Sequence, residues 1–559
     1  MRLPGGCLQV VLLALALLAS GLVQAGTCPA PLTSSANPWQ DAADWDELAA
    51  RGYRIGQVHI FVDNVFELSD PQQDTWYARL ANKLHIETHP RAIREQLLFK
   101  SGDPVDPLII YESERRLHAL LYLRASSIRP ENCHDHVVDV NVQVKDAWTL
   151  KLDIAFAHIG GQNTLQFEAT DDNFLGTGKA LSIGHTSDPQ RSANLVSYKD
   201  PSLFGSYWNL AATYADLSDG HLKYVTAGQP FYADQTPWSV AASFYDQEEN
   251  LNFYNQGTLA WYTPSTQDQR YLSWAHLLYW DAADSSGMRA GILYNDIDYG
   301  YGQLQEQTPG LLPPPALAPR RLAGLGLSWE YFQDQYASFT NMVYIDRTED
   351  YNLGWQLDLQ AGHYGGGFGG SVSAPFYGVT ASWGTRLPAD SILLASAYAD
   401  GRQQDGVSHN LQTNLALTSY TQYFPWQTLV GHVQWDSVLR PDPESYLYLG
   451  GLQGLRGYPN YYAIGDRRWQ ATFEDRIVTP VQILNLFQLG FVGYADAGQI
   501  HQLSPSGWSP TYSDVGLGFR IGSIRSAYDN TFYFTIAWPL KNAPGVSGHE
   551  IVIGNIISF

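Results

Sequence analysis

Gly450-Gly451-Leu452-Gln453-Gly454-Leu455-Arg456-Gly457-Tyr458 places four glycines around a single arginine. Glycine lets a backbone turn tightly and pass close to a neighbouring wall. An arginine carried into a confined interior needs a carboxylate to offset its desolvation. The candidate partner is Asp496. In Phe491-Val492-Gly493-Tyr494-Ala495-Asp496-Ala497-Gly498, strand parity puts Tyr494, Asp496 and Gly498 on one face. Glu474 and Arg476, in Phe473-Glu474-Asp475-Arg476, stand on the strand that follows the glycine-rich segment and can support the pair. Taken singly, an Arg-Gly-Tyr tripeptide is common and Asp496 could be an ordinary solvated carboxylate, so the weight lies in the combination.

Around this segment the chain reads as strands. From Trp148 onward, stretches such as Thr164-Leu-Gln-Phe-Glu-Ala-Thr170, Tyr207-Trp-Asn-Leu-Ala-Ala-Thr-Tyr214 and Thr531-Phe-Tyr-Phe-Thr-Ile-Ala-Trp538 are separated by Asp, Asn, Gly and Pro clusters. Pro309-Gly-Leu-Leu-Pro-Pro-Pro-Ala-Leu-Ala-Pro319 cannot run as a central strand, because five of its eleven residues lack a ladder N–H, and it reads as a loop. The last ten residues alternate, with Ile551, Ile553, Ile557 and Phe559 on one face and Glu550, Val552, Gly554, Ile556 and Ser558 on the other. Aromatics make up 13% of the chain, with 35 Tyr and 17 Trp, alongside 50 Gly. That composition suits strands with one lipid face and one wet face, bordered by aromatic girdles, although a soluble β-protein would look similar.

The first residues read as a secretory signal over 1–25. Arg2 is its only charge, an apolar run extends from Val10 to Leu18, and Val23-Gln24-Ala25 offers small residues for cleavage. As an uncleaved anchor the run falls short of the ~20 residues that span a bilayer. Ala25-Gly26-Thr27 lacks the aliphatic residue expected three positions before a lipidated cysteine at Cys28. Removing the signal takes Cys7 and leaves Cys28 and Cys133, an even pair in a compartment where disulfides persist. A metal site at Cys133-His134-Asp135-His136 is the other reading, with no second ligand cluster to complete it. The net charge of −22, with only 33 Lys and Arg, excludes a phosphate-binding face, so no nucleic-acid partner is expected. After the signal no apolar run is long enough to cross a membrane as a helix, so an exported protein of this composition can enter one only as a closed barrel.

Residues 51–147 have a different texture, and residues 26–50 form a short segment ahead of them. A strand around Tyr53 to Phe66 carries Ile55, Val58, Ile60 and Val62. Trp76, Leu80 and Leu84 recur at helical spacing, Pro90 can start a second helical turn, and Ser101-Gly102-Asp103-Pro104 breaks the chain. A clearer helix over Leu108 to Tyr122 turns Leu117, Leu120 and Leu121 inward and Glu112, Glu114, Arg115 and Arg116 outward. Val138-Asp139-Val140-Asn141-Val142-Gln143-Val144 closes the region as a strictly alternating strand. The order strand, helices, strand makes a small α+β domain.

In combination these features resemble the outer-membrane protein assembly and translocation superfamily, the bacterial surface antigen family of BamA and TamA type. Asp172-Asn173-Phe174-Leu175-Gly176-Thr177-Gly178 and Lys199-Asp200-Pro201-Ser202-Leu203-Phe204-Gly205 resemble its opening hairpin turns. Leu455-Arg456-Gly457-Tyr458 resembles its extracellular loop motif, Tyr494-Ala495-Asp496-Ala497-Gly498 its arginine-receiving strand, and the terminal Phe559 its closing-strand signal. The 51–147 region, with Leu97-Leu98-Phe99-Lys100-Ser101-Gly102-Asp103 and Tyr111-Glu112-Ser113-Glu114-Arg115-Arg116-Leu117, resembles its periplasmic POTRA module in a single copy. The resemblance implies an all-β transmembrane barrel of 16 antiparallel strands over 148–559. It also implies residence in the outer membrane of a Gram-negative bacterium, and insertion or transport of polypeptides. The POTRA-like domain would dock substrate from the periplasm, with periplasmic accessory proteins as further partners. Arg456, Gly457, Tyr458 and Asp496 would lock a loop into the lumen, supported by Gly450, Gly451, Glu474, Tyr494 and Gly498. No Gly-x-Ser-x-Gly, His-Glu-x-x-His or phosphate-binding glycine loop is present, so neither enzymatic activity nor a cofactor is expected. A passive pore, a surface antigen or a lipid-handling protein is the alternative.

Overall fold

A computed structural model describes residues 45–71, 74–233, 235–310, 314, 317–345, 348–483, 487–503, 506–523, 531–541 and 543–554. The expected signal peptide, Cys28, residues 311–313, 315 and 316 of the proline-rich stretch, Ile557 and Phe559 lie outside these residues. The chain divides into two bodies, the first ending at Trp148 and also taking in Leu175–Gly178, the second made of the rest.

The first body is a three-stranded sheet with helices. Val138, Val140, Val142 and Val144 all point into its core, which is why the strictly alternating strand, Val137–Asp146, takes the central position. It pairs in parallel with Arg54–Asp63 and antiparallel with Leu123–His134. The helices are Trp45–Ala50, Trp76–Leu84, Pro90–Arg94 and Pro107–His118, the last capped by Asp106, whose carboxylate accepts from Leu108 N.

Three expectations change here. The domain includes Trp45–Ala50, because Trp45 and Leu48 are buried in the same core as Ile55 and Leu117; six residues carry too little periodicity to be read. Leu123–His134 is a full strand despite Pro130. It lies at the sheet edge, where a bulge between Pro130 and Cys133 removes the need for the missing donor. Trp76, Leu80 and Leu84 do form a stripe, but it is exposed, as is Leu121. Cys133 is disulfide-bonded. Asp135 and His136 form the two-residue turn after Leu123–His134, both at positive φ as such a turn requires.

The second body is a closed antiparallel barrel. Among the described residues twenty strands run the circuit, and the two- and three-residue strands Gln305–Glu306 and Ser506–Trp508 ride on their ends. This exceeds the sixteen expected. The reason lies in the connections: Gly160-Gly161, Ser218-Asp219, Gln256-Gly257, Asp405-Gly406 and Pro425-Trp426 reverse the chain in two residues, leaving more of it for strands. Side-chain parity is regular. Phe473, Phe491, Leu517, Phe519 and Phe534 face out, whereas Glu474, Asp496, Asp514, Arg520 and Thr535 face in and are buried. An apolar outside around a polar inside fits a lipid bilayer. The first barrel strand, Leu150–Ile159, meets the last described one, Glu550–Gly554, through Ile553 and His158. Neighbouring strands are antiparallel, so successive connections alternate between the two ends of the barrel.

Candidate functional site

The segment 440–466 links Gln427–Leu439 to Arg467–Ile483 and folds inward instead of projecting away. Its first limb is tied to the wall by charge. Arg402 holds Asp442 with two bonds of 2.7 and 2.8 Å, while Arg320 pairs with both Asp442 and Glu444 and lies over the Tyr299 ring. A miniature ribbon follows, Leu447–Leu449 paired with Ala463–Gly465, and Arg468 donates to its Tyr448 carbonyl.

The ribbon leads into the glycine-rich tip. Gly450 has φ +121°, a conformation closed to side chains, and with Gly451 it turns the chain so that Gly451 N donates to the Leu455 carbonyl at 2.8 Å. Gly457 passes so close to the wall that a Cβ there would lie 2.7 Å from the Asp514 Cβ. Leu455 and Tyr458 pack with Leu449, Tyr462, Ile500 and Tyr512, and the Tyr458 hydroxyl donates to the Ser513 carbonyl. Gly498 leaves room for Leu449, whose side chain would be 3.3 Å from a Cβ at that position.

This packing delivers Arg456 to the wall. Its Nε and Nη2 donate to the two Asp496 oxygens at 2.7 and 2.8 Å, a bidentate fork, and Nη1 donates to Glu474 at 2.6 Å. The guanidinium lies 3.4 Å from the Tyr494 ring centroid. Thr472 donates to Asp496, and Arg476 donates to the remaining Glu474 oxygen at 2.7 Å. Arg456 and Arg476 thus balance Asp496 and Glu474, with Asp496 2% and Glu474 0% exposed. Buried charges are tolerated when paired and fully hydrogen-bonded. The arrangement can hold the loop in place.

Sequence pattern brings Arg456, Asp496, Glu474, Arg476 and Tyr494 to this site, with Gly450, Gly451, Gly457, Tyr458 and Gly498 shaping the approach. Three participants escape it. Asp514 faces Asp496 directly across the strand pair and is 0% exposed. Asn460 ties the loop to the first hairpin: its amide donates to the Ile159 carbonyl at 2.8 Å and to Gln162, while its oxygen accepts from Leu452 N. Arg520, also buried, lies farther along the Asp514 strand. Inward parity could have flagged Asp514 and Arg520; nothing local marks Asn460.

No known family and no curated protein matches the chain by sequence. Its structural neighbours include BamA and CdiB. BamA from Haemophilus ducreyi lacking POTRA domains 1–3 is 11% identical, with a TM-score of 0.40 over 89% of this chain and 84% of that one. CdiB from Escherichia coli is 12% identical, with a TM-score of 0.44 over 89% and 76%. BauA, the ferric preacinetobactin receptor from Acinetobacter baumannii, is 10% identical, with a TM-score of 0.36 over 75% and 81%.

Proposed function

We propose that this protein is an outer-membrane barrel of the assembly and translocation superfamily that inserts or transports polypeptides, its lumen held shut by the 440–466 loop. The observation that carries the reading is the Arg456 fork. A passive pore gains nothing from drawing a loop into its lumen and burying an arginine against two wall carboxylates. A conduit that must stay closed until engaged needs such a brace, strong when docked and lost as a unit when one partner moves. Asn460 extends the brace to Ile159, one residue beyond the His158 and Ile553 closure, so loop position and barrel closure share a neighbourhood. The first body is read as a single POTRA-like domain that offers sheet edges to extended substrate by strand addition in the periplasm.

Depletion in the native host followed by quantitative proteomics of the outer membrane and the medium tests this. One or more β-rich client proteins should fall in abundance before general envelope stress appears. If every other outer-membrane and secreted protein keeps its level, polypeptide transport is the wrong function.

A further inference from the structure

A second segment enters the lumen from the opposite end. The Arg456 loop follows the fifteenth barrel strand, Gln427–Leu439, whereas residues 334–355 follow the tenth, Arg320–Gln333, so the two connections lie at opposite ends of the barrel. Within 334–355, Tyr336–Thr340 and Thr348–Asn352 pair as a ribbon of their own. Ala337, Phe339 and Met342 are buried against the inward-facing wall residues Ile392, Tyr420 and Val430.

Besides the Asn341 side chain, which donates to the Pro425 carbonyl, one series of polar contacts joins residues 340–343 to the wall. Four successive main-chain carbonyls are each read by a different wall side chain. Gln422 Nε2 donates to the Thr340 carbonyl at 2.7 Å and Thr428 Oγ1 to Asn341 at 2.7 Å. Arg476 Nη1 donates to Met342 at 2.9 Å, and Arg520 Nη2 to Val343. These donors come from four different barrel strands. A carbonyl is present on every residue of every polypeptide, so a track of carbonyl donors recognises chain, not sequence.

We infer that Gln422, Thr428, Arg476 and Arg520 form a polypeptide-binding track inside the barrel, occupied at rest by the chain's own 340–343 segment. Its ligand is a predominantly apolar polypeptide bound through its main-chain carbonyls in the bent conformation that 340–343 adopts, where Asn341 at φ +64° turns successive carbonyls to the same wall. The inference rests on the polypeptide-handling reading above and specifies where in the lumen substrate is held. Arg476 makes the track part of the lock: it donates to the Met342 carbonyl and to Glu474, which also accepts from Arg456. The two inserted segments therefore meet in one ionic chain, and withdrawal of the ribbon removes a hydrogen bond from the residue that steadies Glu474.

Gly522 provides the means to test it. A Cβ at this position would lie 2.6 Å from the Ile345 Cβ, so Gly522→Ala cannot coexist with the seated ribbon tip and touches none of the four donors. A second variant replaces residues 336–352 with a short Gly-Ser turn. The full-length protein in detergent micelles is titrated into two fluorescein-labelled uncharged decapeptides of unrelated apolar-alternating sequence, and anisotropy is read. Both opened variants should bind both peptides at least about tenfold more tightly than wild type, and adding Gln422→Leu with Thr428→Val should remove about tenfold, as expected for two lost hydrogen bonds. If neither opened variant gains affinity, or if the donor substitutions leave affinity unchanged, the track is not a peptide site. Client loss on depletion without peptide binding sinks the track alone; peptide binding without client loss sinks the transport reading alone.

Discussion

Replacing Arg456 by alanine removes three charge-assisted hydrogen bonds and leaves Asp496 and Glu474 buried in the wall, Glu474 retaining Arg476 and Asp496 retaining Thr472. Breaking a buried pair by deleting one member typically costs roughly 3–5 kcal/mol, because the surviving charge stays desolvated. Loss of the contact with the Tyr494 face contributes to the same total, and we take about 4 kcal/mol as the expected loss of docking free energy. At about 1.4 kcal/mol per factor of ten, the undocked fraction of the loop should rise by about a thousandfold. Leu455 supplies the readout, since it is 0% exposed beside Arg456. With Leu455→Cys as the common background, maleimide labelling tracks the open fraction while closing outpaces reaction. Arg456→Ala should accelerate labelling by at least about a hundredfold and raise ion conductance in planar bilayers, and a cycle with Asp496→Ala should return a coupling near 2 kcal/mol. Less than a tenfold change in labelling, or additivity within about 0.5 kcal/mol in a barrel of unchanged strand content, would refute the claim that this pair holds the loop.

Asp496→Ala is expected to undock the loop less than Arg456→Ala, because Asp514, its direct cross-strand neighbour, offers a second carboxylate on the same inner wall. Adding Asp514→Ala should then produce a more than additive increase in Leu455→Cys labelling. Asn460→Ala removes the bonds to Ile159 and Gln162 and should cost about 1–3 kcal/mol of docking, read as a roughly 10–100-fold labelling increase with the fork intact. In the first body, the buried Asp146 carboxylate accepts from Thr88 N and Thr88 Oγ1 at 2.8 and 2.6 Å and lies 2.8 Å from His85 Nε2. Asp146→Ala should lower that body's unfolding free energy by roughly 3 kcal/mol in urea titration of the full chain, leaving the heat-resistant mobility of the barrel on gels unchanged.

Much of this protein is legible because β-structure writes itself in steps of two. Alternation alone places Val138, Val140, Val142 and Val144 on the core side of one strand, Tyr494 with Asp496 on one barrel face, and Ile551 on the face opposite Glu550 and Val552. Glycine spacing marks where the chain turns sharply and where it passes close to a wall, and charge economy says that Arg456 must find a carboxylate. These are local consequences of backbone geometry and desolvation. Tertiary structure alone decides the rest. The number of strands depends on how tightly each connection turns and on which edges meet, which no single hairpin encodes. Trp76, Leu80 and Leu84 have the spacing of a buried stripe, yet the helix packs by its other side. The ribbon at 336–352 looks like any pair of short strands until its carbonyls reach Gln422, Thr428, Arg476 and Arg520, which are 82 to 177 residues away in sequence. Parity says which way a side chain points; only closure of the barrel determines what waits for it across the lumen.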